Sequence, residues 1–189
     1  MMSEMETSII FFSHGGGPLP LLADPGHKAM INFMTELPRK LPKPEAILVI
    51  SAHWEQPTAT ILGSHQPSMF YDYYGFPPAA YEIDYPAPGH PVLAEKIVSV
   101  LNQAGIKSQI DTHRGFDHGL FIPLNLMYPH AKIPALQLSL LDDLSPTSHL
   151  ELGKSLRALR MKNRLSIRHA SLDDQTPIPN FYNSYFFTS

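Results

Sequence analysis

Three histidines in this 189-residue sequence each come shortly after a segment predicted to be a β-strand. His14 follows SIIFFS, His53 follows AILVISA, and His118 stands in DTHRGFDHGL. Ligands bind at the carboxyl ends of strands in an α/β sheet, because the crevices of the sheet open there. Neutral imidazoles suit Fe(II), Zn(II), Mn(II) or Cu(II), and two of them with one further ligand leave coordination positions open for substrate. The three histidines together therefore predict a metal centre.

Three other side chains near these histidines are candidate partners. Glu55, His113 and Asp117 could accept or donate hydrogen bonds at the ring nitrogens and so select the tautomer of a ligand, or could face the substrate. A single histidine beside a strand is more often a hydrogen-bonded structural residue. The prediction therefore depends on the histidines acting as a set.

The composition excludes several classes of function. The chain has no cysteine, so any metal must bind His, Asp or Glu, and disulfides and cysteine nucleophiles are excluded. A formal net charge of -3 with scattered Lys and Arg offers no basic surface for nucleic acid. No apolar run approaches the length of about 18 residues that crosses a membrane. The opening MMSEMETS has no Lys or Arg, unlike a secretory signal or transit peptide, so we expect a cytoplasmic protein with a small-molecule partner.

Apolar runs alternate with segments of helical periodicity along most of the chain. The predicted strands are residues 8–12, 46–50, 58–62, 106–110 and 133–140, and the predicted helices are residues 24–37, 91–103 and 147–160. The run at 46–50 is apolar at every position, which is typical of a strand buried on both faces. The pattern predicts one α/β domain over residues 1–160, with a mostly parallel or mixed central sheet and helices on both faces. Residues 161–189 show no sustained period and are expected to be a divergent tail that could be poorly ordered.

A long segment between the third strand and the second helix is rich in aromatic residues. Residues 63–85, named the aromatic loop from here on, contain YDYYGFPP and two further tyrosines, Tyr81 and Tyr85. A loop of this length in a compact domain is usually a lid or a binding loop, and an aromatic lid would suit a flat ring. The alternative is a loop packed by its own aromatic side chains.

Four motifs in this order resemble the class III extradiol ring-cleaving dioxygenases, and specifically their 4,5-DOPA dioxygenase branch. They are FFSHGGGP, ILVISAHWE, YDYYGFPPAAYEIDYPAPG and GFDHGLFIPL, and the resemblance covers about residues 9–160. It implies an α/β fold with a mononuclear non-haem metal site, in which Fe(II) is expected for activity and Zn(II) can occupy the same site. It also implies that His14 and His53 are metal ligands, that His118 is catalytic, and that the substrates are a small aromatic diol such as DOPA and O2.

The sequence departs from the family pattern after residue 160. Later His-Asn and His-Pro motifs of the family are absent, so the fold is expected to be truncated at its carboxyl end, with His169 as a candidate substitute ligand. Three hypotheses stay open. The first is an extradiol dioxygenase, whose activity the truncation could impair. The second is a non-catalytic remnant or binding module of the same fold, and the third is a zinc-dependent hydrolase of small molecules. An uncovered sheet surface would also permit self-association.

Overall fold

A computed structural model describes residues 9–13, 15–163 and 183–188 of the chain. The strands are β1 (Ile9–Ser13), β2 (Ile47–Gln56), β3 (Ala59–Leu62), β4 (Ser108–Asp111), β5 (Ala135–Leu141) and β6 (Asn183–Thr188). The α-helices are α1 (Lys28–Glu36), α2 (Pro91–Gln103), α3 (His118–Met127) and α4 (Pro146–Asn163). Short 3-10 helices lie at Leu19–Leu22, Pro25–His27, Leu37–Lys40 and Pro78–Tyr81.

The strands form one mixed sheet in the order β1-β6-β2-β5-β3-β4. β2 runs parallel to β5, and β3 runs parallel to β4. The pairings of β6 with β1 and β2, and of β3 with β5, are antiparallel. The α/β fold class is confirmed, and of the two predicted sheet types the mixed one is observed.

Helices cover both faces of the sheet, as the sequence predicts. Ile47 and Val49 of β2 belong to one buried cluster, which α1 and α3 complete. Leu48, between them in the sequence, belongs to a second buried cluster, which α2 and α4 complete. Successive side chains of a strand point to opposite faces, so a strand covered on both sides must be apolar at every position. This is why the centre of β2 shows no alternation.

The helix starts follow from local sequence. At α2, the His90 Nδ1 accepts a hydrogen bond from the Leu93 backbone N–H at 3.2 Å, and Pro91 occupies the first helical position. α3 is buried over most of its length, which explains its uniformly apolar sequence GLFIPL.

No helix in the described part of the chain is long and apolar enough to cross a membrane.

The structure describes two features after residue 160 that the sequence pattern did not predict, in residues 161–163 and 183–188. α4 continues past residue 160 to Asn163, and β6 pairs with β1 on one side and β2 on the other. Residues 183–188 read NSYFFT and lack an apolar and polar alternation, so their place in the sheet depends on neighbours far away in the sequence. The predicted ligand His169 lies outside the described residues.

Candidate active site

A bulge in β2 carries His53 out of regular pairing. β2 and β5 stay in register up to Ser51 and Ser139, and pairing resumes at Glu55 and Leu140. Residues 52–54 therefore have no counterpart on β5. Bulges of this kind are common beside active sites because they redirect side chains. The His53 backbone N–H donates to the Ser51 Oγ at 3.2 Å, and the His53 carbonyl oxygen accepts from the Arg114 Nη2 at 3.3 Å.

His118 is the first residue of α3, and the preceding Asp117 ties this helix start to the bulge. The Asp117 side chain is fully buried. Its Oδ1 accepts a hydrogen bond from the Ser51 Oγ at 2.8 Å, and its Oδ2 accepts from the Arg114 Nη2 at 3.1 Å. The Asp117 backbone N–H donates to the Oε1 of the buried Gln137 at 3.2 Å.

The third site residue is Asp72, which comes from the aromatic loop. Its Oδ1 accepts a hydrogen bond from the His118 backbone N–H at 3.0 Å and lies 2.8 Å from the His118 Nδ1. The sequence analysis missed this residue. A signal was present, since Asp72 is the single acidic residue in residues 56–81 and stands between two tyrosines.

His53, Asp72 and His118 come together to form one cluster, although they are far apart in the sequence. Their nearest metal-binding atoms all lie within 4.8 Å of one another, and the two imidazole ring centroids are 3.9 Å apart. An open recess of about 370 Å³ adjoins the cluster and is lined by Ala52, His53, Glu55 and Asp72. Two imidazoles and one carboxylate are the donor types that suit Fe(II) and Zn(II), so the residues present fit a divalent metal ion.

The protonation states of the cluster also suit metal binding. Burial, and then the charge of His118, lower the pKa of His53 to about 4, although Asp117 and Asp72 act in the opposite direction. His53 is therefore neutral at pH 7, which is the form that binds metal. Burial alone would raise the pKa of Asp72, but the hydrogen bonds and charge of His118 outweigh it and lower that pKa. Asp72 is therefore an anion at neutral pH.

The other predicted site residues have different placements. Glu55 is exposed and lines the recess. His113 is exposed in a turn, where its backbone N–H donates to the Asp111 Oδ1 at 2.7 Å. Asp117 binds Ser51 and Arg114, and it is Asp72 that bonds the His118 ring. His14 lies outside the described residues, so its role as a metal ligand stays a prediction.

The aromatic loop is packed by its own side chains. The Tyr71 hydroxyl donates to the Ile83 carbonyl at 2.7 Å, and the Tyr73 hydroxyl donates to the Ala80 carbonyl at 2.5 Å. The Tyr73 ring meets the His118 ring edge to face, with centroids 5.7 Å apart. The loop thus matches the self-packed alternative, and it also supplies Asp72 to the site.

An α/β fold that brings two imidazoles and a carboxylate to one end of a strand defines a class of metal-dependent enzymes. The family follows from sequence comparison. The model of the family described as the catalytic LigB subunit of aromatic ring-opening dioxygenase matches residues 11–167. The chain belongs to this metal-dependent family, which confirms the resemblance stated above.

Curated relatives and a solved structure support this membership. Dioxygenase tasH of Hapsidospora irregularis is 46% identical over 163 residues, which are 82% of this chain and 50% of the relative. The 4,5-DOPA dioxygenase extradiol of Beta vulgaris is 42% identical, covering 85% of this chain and 60% of the relative. The 4,5-DOPA dioxygenase extradiol of Escherichia coli K12 is 39% identical, covering 85% of this chain and 57% of the relative. A crystal structure of an uncharacterized Escherichia coli K12 protein is 36% identical, with a TM-score of 0.55, and covers 69% of this chain and 48% of that one. The chain thus spans about half to three fifths of the length of these relatives.

Proposed function

We propose that this protein opens the aromatic ring of a catechol such as DOPA with O2, in the cytoplasm that its sequence predicts. The observation that carries the proposal is the convergence of His53, Asp72 and His118 beside an open recess in a member of the LigB family. Two relatives are named 4,5-DOPA dioxygenase extradiol, which supports a single-ring diol as the substrate.

Of the three cluster residues, His53 would hold the metal, together with His14, the second ligand that the resemblance implies, and His118 with its partner Asp72 would act on the substrate beside it. Fe(II) is the ion expected for activity, and Zn(II) can occupy the same donors without supporting oxygenation. When bound, the metal polarises the catechol oxygens and provides the redox chemistry that O2 requires. His53 is suited to this role because burial keeps its imidazole neutral.

His118 would transfer protons during the reaction. Because Asp72 lies 2.8 Å from its Nδ1, that nitrogen carries the proton in the neutral ring, and the Nε2 keeps its lone pair. The Nε2 can then accept a proton from a catechol hydroxyl and return it to a product oxygen. The edge of the Tyr73 ring limits rotation of the imidazole.

Oxygen uptake by the iron-loaded protein tests the proposal. Fe(II) is added anaerobically, then L-DOPA, then air, and the parent is compared with His53→Gln and with His130→Gln, which replaces an exposed histidine. We expect uptake by the parent and by His130→Gln, and its loss in His53→Gln. A folded, iron-loaded parent that consumes no oxygen with L-DOPA or simple catechol would rule out the dioxygenase proposal.

A second candidate function is binding of the catechol and the metal without turnover. It is the non-catalytic alternative that the sequence left open, and the observation that suits it is that the donor types of His53, Asp72 and His118 fit a metal ion whether or not turnover follows. Anaerobic titration of the iron-loaded protein with L-DOPA separates the two functions. Saturable binding without oxygen uptake after air is admitted would select the binding function.

A further inference from the structure

We propose that Arg114 is a positioning residue that sets the separation between His53 and the pair formed by Asp72 and His118. This inference deepens the proposed function and rests on it. Arg114 lies in neither the donor cluster nor the lining of the recess, and it would act through the residues that do.

The Arg114 guanidinium is held on two sides by aromatic rings. Its central carbon lies 4.7 Å from the centroid of the Trp54 ring and 4.6 Å from that of the Phe70 ring. Both distances are within the range of favourable contact between a cation and a ring face. The side chain is only 16% exposed, so solvent screens these contacts little.

The same guanidinium donates hydrogen bonds to two further segments. Its Nη2 donates to the His53 carbonyl oxygen at 3.3 Å and to the Asp117 Oδ2 at 3.1 Å. His53 lies in the part of β2 that has no counterpart on β5, so its position depends on contacts other than the β2 to β5 pairing. Arg114 provides one of these contacts.

These contacts join the three segments that supply the cluster. Trp54 follows His53 in the bulge, Phe70 is two residues before Asp72, and Asp117 precedes His118. A change in the shape or position of the guanidinium would therefore move the cluster residues relative to one another. The planar guanidinium of arginine can stack on aromatic rings and donate hydrogen bonds at the same time, and so can hold the three segments together. The ammonium group of lysine is a point charge on a flexible side chain and cannot make the same set of contacts.

The metal affinity of the Arg114→Lys variant tests the inference. This substitution keeps the positive charge beside Asp117 and changes only the shape and hydrogen bonds of the side chain. The metal-free parent, Arg114→Lys and the control Arg39→Lys are titrated with Co(II), whose absorption spectrum reports coordination geometry. Arg39 is exposed and forms a salt bridge with Glu36 on the surface. Arg39→Lys therefore makes the same substitution in a salt bridge outside the site. We expect Co(II) binding about 10 to 100-fold weaker in Arg114→Lys, with an altered spectrum, because Arg114 donates to the backbone of the proposed metal ligand His53 and so orients it. Parent affinity and spectrum in a folded Arg114→Lys would overturn the inference.

Amide hydrogen exchange of the metal-free proteins gives a second readout that does not depend on the proposed function. The His53 and His118 amides donate to Ser51 and Asp72, so their exchange reports the positions of the two segments. We expect these amides to exchange about tenfold faster or more in Arg114→Lys, with α2 unchanged, because only local opening is affected. Uniform acceleration, or none, would overturn the inference. A parent that binds no Co(II) would count against the proposed function, and the exchange data would still decide the role of Arg114.

Discussion

At the scale of single residues, the hydrogen bonds of Asp72 organise the cluster. Its carboxylate bonds both the backbone N–H and the ring of His118, so it selects the ring tautomer and the ring orientation together. A carboxylate that accepts a bond from a ring N–H also stabilises the protonated imidazole during proton transfer. In the proposed reaction, Asp72 would therefore support proton transfer by His118 without being a metal ligand.

Asp72→Asn is expected to lower turnover by about 10 to 100-fold, the typical effect of removing a residue that orients an active imidazole. The amide removes the negative charge beside the His118 ring and has one acceptor oxygen where the carboxylate has two. The measurement is the kcat for L-DOPA of the iron-loaded protein. The control is Glu151→Gln, which changes an exposed carboxylate that pairs with Lys154 on α4, outside the cluster and the recess. Equal turnover in both variants would contradict the role of Asp72.

The lowered pKa of His53 predicts acid sensitivity of the metal-free fold. The pKa is 6.5 in the unfolded chain and about 4 in the folded protein, so the unfolded state binds more protons between these values. The contribution of His53 to the free energy of unfolding is thus present above pH 6.5 and is lost as the pH falls toward 4. Urea unfolding of the parent and His53→Gln at pH 7 and pH 5, with chelator present, measures it. We expect the parent to lose more stability than the variant, and equal losses would show that His53 titrates normally.

At the scale of elements, the docking of the aromatic loop decides where Asp72 lies. The Phe70 backbone N–H donates to the Phe116 carbonyl, and the Phe116 N–H donates to the Ser68 carbonyl, both at 2.8 Å. These two bonds hold the loop beside the segment that leads into α3. The close approach requires glycine at 115, because a Cβ there would lie 2.4 Å from the Ser68 carbonyl oxygen.

Gly115→Ala is therefore expected to displace residues 68–72 and to weaken both stability and activity. The added methyl meets backbone, which cannot move aside alone, so we expect a loss of about 1–3 kcal/mol in the free energy of unfolding, typical of overpacking. Urea unfolding measures this loss, and Co(II) titration measures the effect on the site.

Gly153→Ala in α4 is the matched control. A Cβ at Gly153 would meet no atom within 4 Å in the described structure apart from its chain neighbours and the adjacent backbone of its own helix. Because alanine favours the helix by about 1 kcal/mol over glycine, this variant should be slightly more stable than the parent. Destabilisation by both substitutions would indicate that the loss in Gly115→Ala does not come from the contact with Ser68.

At the scale of the whole molecule, β6 joins the first strand to the rest of the sheet. It lies between β1 and β2 and is paired with both, whereas β1 lies at one edge of the described sheet. β1 bears on the proposed metal site because the proposed ligand His14 comes directly after it in the sequence. Stability of β1 therefore depends on residues about 170 positions later in the sequence, because Ser13 pairs with Asn183 and Ile9 with Phe187.

Tyr185→Pro tests this arrangement. Residue 185 pairs with Phe11 on one side and Ile50 on the other, so proline would remove a backbone donor inside the sheet. We expect a loss of about 1–3 kcal/mol in the free energy of unfolding, since a backbone group inside the sheet loses its hydrogen-bond partner. Tyr185→Thr keeps the backbone N–H and serves as the control. Equal urea midpoints for the two variants would place residue 185 outside the sheet.

Local pattern predicted much of this protein correctly. An unbroken apolar run marked the centre of β2, and helical spacing with His90 and Pro91 marked the start of α2 at the residue observed. The sequence predicts that His53 and His118 lie near strand ends of one site. In the structure their ring centroids are 3.9 Å apart, but His53 lies within β2 and His118 begins α3, and their roles as metal ligand and catalytic residue stay predictions. The ordered motifs also identified the family, which the match over residues 11–167 confirms.

Tertiary structure alone decided the features that depend on distant pairs. Asp72 reaches His118 across 46 residues, and Ser51 reaches Asp117 across 66, which no periodicity encodes. The bulge at residues 52–54 is defined by the pairing of β2 with β5, which the sequence of β2 does not encode. In the same way, β6 is a strand because β1 and β2 pair with it on either side. The sequence by itself determined which residues could do the chemistry. Packing between segments that are remote in the chain decided how those residues are oriented and which carboxylate joins them, because side-chain geometry at a site is set by contacts and not by composition.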